Sequence, residues 1–146
     1  MTAYPIAKPG DVRVFMFAGK ARLTLRSKRT GVRYTYRVRL PRGERRPSTP
    51  FFVSVLTGND NESHFEYIGL YRGIDFQLGV KSRLTHDAPS VKAWRWFNRE
   101  VVVGDGMPHD LEVWHEGRCG RCGRALTVPE SIERGIGPEC WQIMGG

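Results

Sequence analysis

The sequence predicts an α+β fold: an antiparallel sheet of about five to six strands, one covering helix, and a small C-terminal module organised by cysteines. Three observations predict it. Two stretches, Lys20–Arg26 and Val32–Leu40, alternate strictly between apolar and polar residues. A single stretch, Val91–Val102, carries apolar residues at helical spacing. All three cysteines lie near the C-terminus, at positions 119, 122 and 140.

Residues 1–12, with Pro5 and Pro9, read as an extended lead-in, and strand character is expected from Val14 onward. Period-two alternation with β-branched and aromatic residues marks half-buried strands over 20–26 and 32–40, and Lys28-Arg29-Thr30-Gly31 reads as their turn. With an even number of connecting residues, Leu23, Leu25, Tyr34, Tyr36 and Val38 share one face, and Lys20, Arg22, Arg26, Arg33, Arg37 and Arg39 share the other. A one-residue slip would mix the two. Residues 20–46 hold eleven Lys or Arg against Glu44 alone, a local charge of +10 in a chain of net +8, so the remainder sums to −2. The basicity belongs to the hairpin and to the loop that follows it, with Arg42, Arg45 and Arg46. Like charges opposite one another on a sheet are destabilising, so a face of this kind is expected to meet a polyanion.

Phe51–Leu56 reads as a buried strand, and Gly58–Glu62 as a polar connection without the length or ligand count of an EF-hand. Phe65–Leu70 and Phe76–Lys81 are further strand candidates. Asp87-Ala88-Pro89-Ser90 is a helix start signal, and the helix is expected over 88–103, ending at Gly104. Val91, Trp94, Phe97, Asn98, Val101 and Val102 fall on its core side, whereas Trp96 falls among Lys92, Arg95 and Arg99 as a candidate base-stacking or partner-contacting residue. Leu111–Trp114 is the candidate sixth strand, and it delivers His115 to the tail.

In the tail, Cys119 and Cys122 form a C-x2-C knuckle whose neighbouring Gly120 and Gly123 suit a tight turn. Cys140 supplies a third sulfur. Structural zinc takes four tetrahedral nitrogen or sulfur ligands, and His115 is the expected fourth, with His109 or a water as the alternatives. Zn2+ is therefore the expected cofactor. Thr127-Val128-Pro129-Glu130 has the pattern of a capping box, Gly135 that of a helix stop, and Pro138 that of a second helical start carrying Cys140. Knuckle, short connection and helix-borne ligand resemble a treble-clef finger. The expected organisation is a β-rich unit over 1–114 joined to a zinc-binding module over 115–146, the two folding as one cooperative unit.

Composition sets outer bounds. With 40% hydrophobic and 26% charged residues the chain reads as an ordinary soluble globular domain. An odd cysteine count argues against a secreted disulfide framework, and reduced cysteines with a metal place the chain in a cytoplasm. The longest apolar run near the N-terminus, Val14–Ala18, is too short for a membrane span.

The segment Trp114–Cys140 resembles an uncharacterised family carried by bacteriophages, prophages and plasmids, through the knuckle C-G-x-C-G-R-x-L-T and the closure G-I-G-P-x-C. Leu25–Gly31 and Asp87–Ala93 also look like segments of some members. The resemblance implies a mobile-element origin, hence a bacterial host cytoplasm, and a zinc site, and carries no assigned activity.

The expected function is a non-enzymatic zinc protein that binds nucleic acid through phosphate contacts with low sequence specificity, single strands ahead of duplex. The expected contacts are Lys20, Arg22, Arg26, Lys28, Arg29, Arg33, Arg37, Arg39, Arg42, Arg45 and Arg46, extended by Trp96, Arg118, Arg121 and Arg124. The alternative is an interaction protein that occupies a host nucleoprotein machine through the same surface. No small-molecule substrate is evident. Catalysis is disfavoured because the deaminase pattern H-x-E…P-C-x-x-C is absent: Glu116 adjoins His115, and no proline precedes Cys119.

Overall fold

The computed structural model describes residues 3–41, 49–58 and 64–146. Its centre is a seven-stranded antiparallel sheet in the order β1-β7-β2-β3-β4-β5-β6. The strands are β1 (Tyr4–Pro5), β2 (Lys20–Ser27), β3 (Arg33–Arg39), β4 (Phe51–Leu56), β5 (Phe65–Arg72), β6 (Asp75–Leu78) and β7 (Leu111–His115). Strands β2 to β6 form a meander, and the chain then crosses the sheet to lay β7 beside β2. The count exceeds the sequence expectation because β1 adds a two-residue edge paired to β7.

The β2–β3 hairpin has the parity that the alternation requires. Arg26 lies opposite Arg33, Leu25 opposite Tyr34, Leu23 opposite Tyr36 and Arg22 opposite Arg37. Ala21, Leu23, Leu25, Tyr36 and Val38 are buried on the inner face, together with Val53 and Val55 of β4 and Leu111 and Val113 of β7.

That inner face is covered by α2 (Pro89–Phe97), which continues as a π-helical segment over Asn98–Val103. Pro89 occupies the first helical turn, where its missing N–H breaks no internal bond. Val91, Trp94 and Phe97 are buried, and the Trp94 ring lies 4.5 Å from Tyr36 and 5.0 Å from Phe97. The Tyr36 hydroxyl donates to the Ser90 carbonyl at 2.7 Å, fixing the helix on the sheet. The wider π winding, with Gly104 N–H donating to Arg99 O at 3.0 Å, accompanies burial of both Val101 and Val102. Arg13 braces this end by an ion pair to Asp105 at 2.7 Å and a hydrogen bond to the Val101 carbonyl.

The N-terminal region departs from expectation. Residues expected to be extended form α1 (Pro9–Met16), with Pro9 in its first turn and Val12, Phe15 and Met16 buried at i, i+3 and i+4 spacing. Two prolines suggest broken structure, but a proline at a helix start is compatible with helix. Eight residues also give the periodicity too little length to declare itself.

The tail contains α3 (Pro129–Arg134) and α4 (Pro138–Ile143). Gly135 closes α3 in the left-handed conformation at φ 75°. The capping box does not form: Val128, not Thr127, is the N-cap, and no side chain caps the helix. The tail packs on α1 through Phe15. A Cβ on Gly120 would stand 2.8 Å from the Phe15 ring, and one on Gly135 would stand 2.5 Å from it. Both glycines are needed for this approach. Truncating Phe15 to alanine removes the ring beneath both, and the expected loss is about 3–5 kcal/mol of stability, read as a lowered urea midpoint of the whole chain.

Candidate metal centre and basic face

The cysteine module is built by backbone bonds before any metal is considered. A short bridge pairs Arg118 with Ala125, Cys119 N–H donates to Arg124 O at 2.8 Å, and Gly123 N–H donates to Cys119 O at 2.9 Å. Gly123 adopts φ 82°, a conformation that turns the knuckle without steric cost. Gly120 links the knuckle outward, donating to Gly135 O and accepting from Lys20 N–H. The three Sγ atoms of Cys119, Cys122 and Cys140 lie within 4.8 Å of one another, as a group that can hold a metal ion. Sulfurs sharing one tetrahedral zinc would sit about 3.8 Å apart for bonds of about 2.3 Å, so the arrangement fits with small adjustment.

The electrostatics separate the thiols. Burial pushes the Cys119 thiol up, but the N–H groups of Gly137, Cys122 and Arg121 favour its thiolate, and the net value falls below that of a free thiol. Two of these donors point at its sulfur, Gly137 N–H at 3.3 Å and Arg121 N–H at 3.4 Å. Burial raises the Cys140 thiol, and the two neighbouring cysteines add to the effect while Arg121 opposes it.

His115 does not join the three cysteines. It is buried at the end of β7, and both ring nitrogens are in use: Nε2 donates to Ile132 O at 2.6 Å, and Nδ1 accepts from Gly117 N–H at 2.9 Å. The ring lies between Tyr4 and Phe15, at centroid distances of 5.5 Å to each. These bonds require the neutral Nε2–H tautomer, and burial lowers the pKa in the same direction, against a partial opposing effect of the Ile132 carbonyl. His109 does not replace it, being paired with Asp110 at 3.4 Å and nearly fully exposed.

The basic residues divide into distinct sets. Lys20 opposes Arg39, Arg22 opposes Arg37 and Arg26 opposes Arg33, all on the outer face of β2 and β3. Between them Thr24 and Thr35 share a hydrogen bond of 2.7 Å. The face is less purely cationic than the hairpin alone suggests, because β7 brings Glu112 to Arg26 at 2.5 Å and Glu116 follows it to meet Arg22 at 2.8 Å. Aromatic rings also lie on this face: Arg37 and Arg22 sit over Phe65 at 4.4 and 5.1 Å, and Arg26 sits 5.8 Å from Trp114. The sequence reading overlooks Glu112, Glu116 and Phe65, although alternation along β7 puts 112, 114 and 116 opposite the buried 111, 113 and 115.

Where this face meets the knuckle, Lys20, Arg22, Arg37, Arg39, Glu116, Arg118 and Gly123 line a pocket of about 250 Å³. Burial lowers the Arg37 pKa, and the neighbouring charges of Arg39 and Arg22 lower it further. Lys28, Arg29 and Arg33 are exposed at the far end of the hairpin. Arg42, Arg45 and Arg46 lie outside the described residues. Arg121 leaves the face and directs its guanidinium to Cys140 Sγ at 3.9 Å. Trp96 also stands apart: it is half-buried against the core on the wall of a groove formed with Leu25, Arg29 and Tyr34, rather than exposed on a cationic ridge.

A model of a family of unknown function, DUF6011, matches residues 111–145. The similarity spans β7 and the cysteine module, and leaves the basic hairpin outside it. No curated protein and no solved structure matches the chain. Among the described residues, no helix is long and apolar enough to cross a membrane.

Two outcomes are expected. Chelation should raise amide hydrogen exchange in the knuckle, residues 118–126, while β2 to β5 stay protected, as read by mass spectrometry. Nitrogen-15 spectra should show His115 as a neutral Nε2–H imidazole near pH 6.5, where a free histidine is half protonated; a titrating or metal-bound signal would contradict the hydrogen bonding.

Proposed function

We propose that the protein is a zinc-binding, non-enzymatic nucleic-acid-binding protein whose outer β2–β3 face contacts phosphates with little sequence preference. The observation that carries this reading is the row of like-charge cross-strand pairs, Lys20–Arg39, Arg22–Arg37 and Arg26–Arg33. Such pairing costs stability in isolation; Glu116 and Glu112 offset part of it at Arg22 and Arg26, and an incoming polyanion would relieve the rest. Among the described residues Lys20, Arg33, Arg37 and Arg39 have no ion-pair partner. These four, together with the exposed Lys28 and Arg29 at the hairpin end, are the hairpin cations available to phosphate, Arg37 from its place over Phe65. The pocket that Lys20, Arg37 and Arg39 share with Arg118 is the expected seat of one phosphate group.

Single strands are favoured over duplex because Phe65 and Trp114 lie among the arginines, where an unstacked base has a ring and a guanidinium plane to meet. Trp96 is not part of this surface. A sulfur-only donor set from the chain suits zinc and disfavours calcium or magnesium, which take oxygen ligands. The family resemblance supports service to a phage, prophage or plasmid in a bacterial cytoplasm.

The test is the salt dependence of binding to a single-stranded oligonucleotide. Each phosphate neutralised on a single strand contributes roughly 0.7 to the slope of log K against log salt. Replacing Arg33, Arg37 and Arg39 with glutamine should therefore weaken binding and reduce that slope by about 2. An unchanged slope would remove this face from the interface. Nuclease-resistant capture of one host protein, with no oligonucleotide binding, would replace the proposal by the interaction-protein alternative.

A further inference from the structure

The three cysteines leave a tetrahedral metal one ligand short, and the described part of the chain does not supply it. Among the described residues, no histidine, aspartate or glutamate brings a ligand atom into the group formed by the three Sγ atoms. The best-placed histidine by sequence, His115, has both nitrogens in backbone hydrogen bonds. Structural zinc sites close their shell with four protein ligands, whereas sites that do chemistry or capture ligands keep one position for water or solute.

The surroundings favour the second kind. A cavity of about 420 Å³ is lined by all three cysteines together with Arg121, Arg124, Thr127, Ser131 and one acid, Glu139, which is not among the residues whose ligand atoms group with the sulfurs. Cys122, the exposed member of the trio, lies on its wall. Three thiolates outweigh a divalent ion by one negative charge, so an added anion needs nearby cations. Arg121, 3.9 Å from Cys140 Sγ, and Arg124 on the same wall are placed to supply them. Ser131 belongs to the same wall. It is buried behind the cavity wall, and among the described residues its Oγ has no hydrogen-bond partner.

We infer that the metal held by Cys119, Cys122 and Cys140 takes its fourth ligand from outside the chain, as an exchangeable water or small anion seated in this cavity. The inference rests on the metal reading above and adds a ligand-binding centre to a protein otherwise read as a nucleic-acid binder. The cavity is separate from the basic pocket: the two share no lining residue. It is also separate from the groove beside Trp96.

The test uses the full chain with cobalt(II) in place of the native metal, and thiocyanate as the probe anion. The visible bands of tetrahedral cobalt should shift saturably as thiocyanate replaces water. Arg121→Gln should weaken that response at least several-fold without loss of the metal. His115→Gln, where it folds, should bind cobalt with the same stoichiometry and the same response. Bands that stay fixed at every thiocyanate concentration would overturn the inference, because they would show a shell closed by the protein. Failure of the wild-type chain to bind cobalt or zinc at all is a different outcome, and it would sink the metal reading itself. If His115→Gln fails to fold, the wild-type titration still decides the matter.

Discussion

The joint on which this structure depends is the His115 imidazole. It ends β7 and is held on both sides: one nitrogen donates to the Ile132 carbonyl in α3, and the other accepts from the Gly117 N–H at the start of the knuckle. Tyr4 from the edge strand and Phe15 from α1 flank the ring. One buried side chain therefore links the sheet, the N-terminal helix and the cysteine module. Only the neutral Nε2–H tautomer makes both bonds, and burial favours that form. The same packing brings Phe15 beneath Gly120 and Gly135, so the module is seated by apolar contact and backbone hydrogen bonding as well as by any metal.

This arrangement explains which features are legible in the sequence. The hairpin is legible because a period of two allows two assignments of face, and only one keeps Leu23, Leu25, Tyr36 and Val38 together. The cysteine trio is legible because C-x2-C with a distant third sulfur has few other uses in a chain without further cysteines. Gly135 and Pro138 are legible because each satisfies a local backbone demand that does not depend on distant contacts.

The features that sequence misplaces share a different cause. Spacing assigns His115 to the metal, but spacing cannot tell whether a ring's nitrogens are already taken by the backbone. The helical wheel puts Trp96 on an open ridge, yet the hairpin end and the helix bury half of it. The outer face reads as cationic from β2 and β3 alone, whereas a neighbouring strand that arrives much later in sequence supplies Glu112 and Trp114, and the residue after it is Glu116. In each case a long-range contact overrides a sound local reading. The short helix α1 is the converse: its signal is local but too brief to outweigh two prolines.

Two distinct surfaces thus flank the knuckle. On one side the sheet presents paired cations among aromatic rings, and on the other a cavity exposes sulfur donors beside Arg121 and Arg124. X-ray absorption at the zinc edge on the freshly isolated protein tests the three-sulfur site most directly. Three sulfur scatterers at about 2.3 Å and one lighter neighbour without the outer-shell pattern of an imidazole are expected. An imidazole signature, fewer than three sulfurs, or no zinc would contradict this.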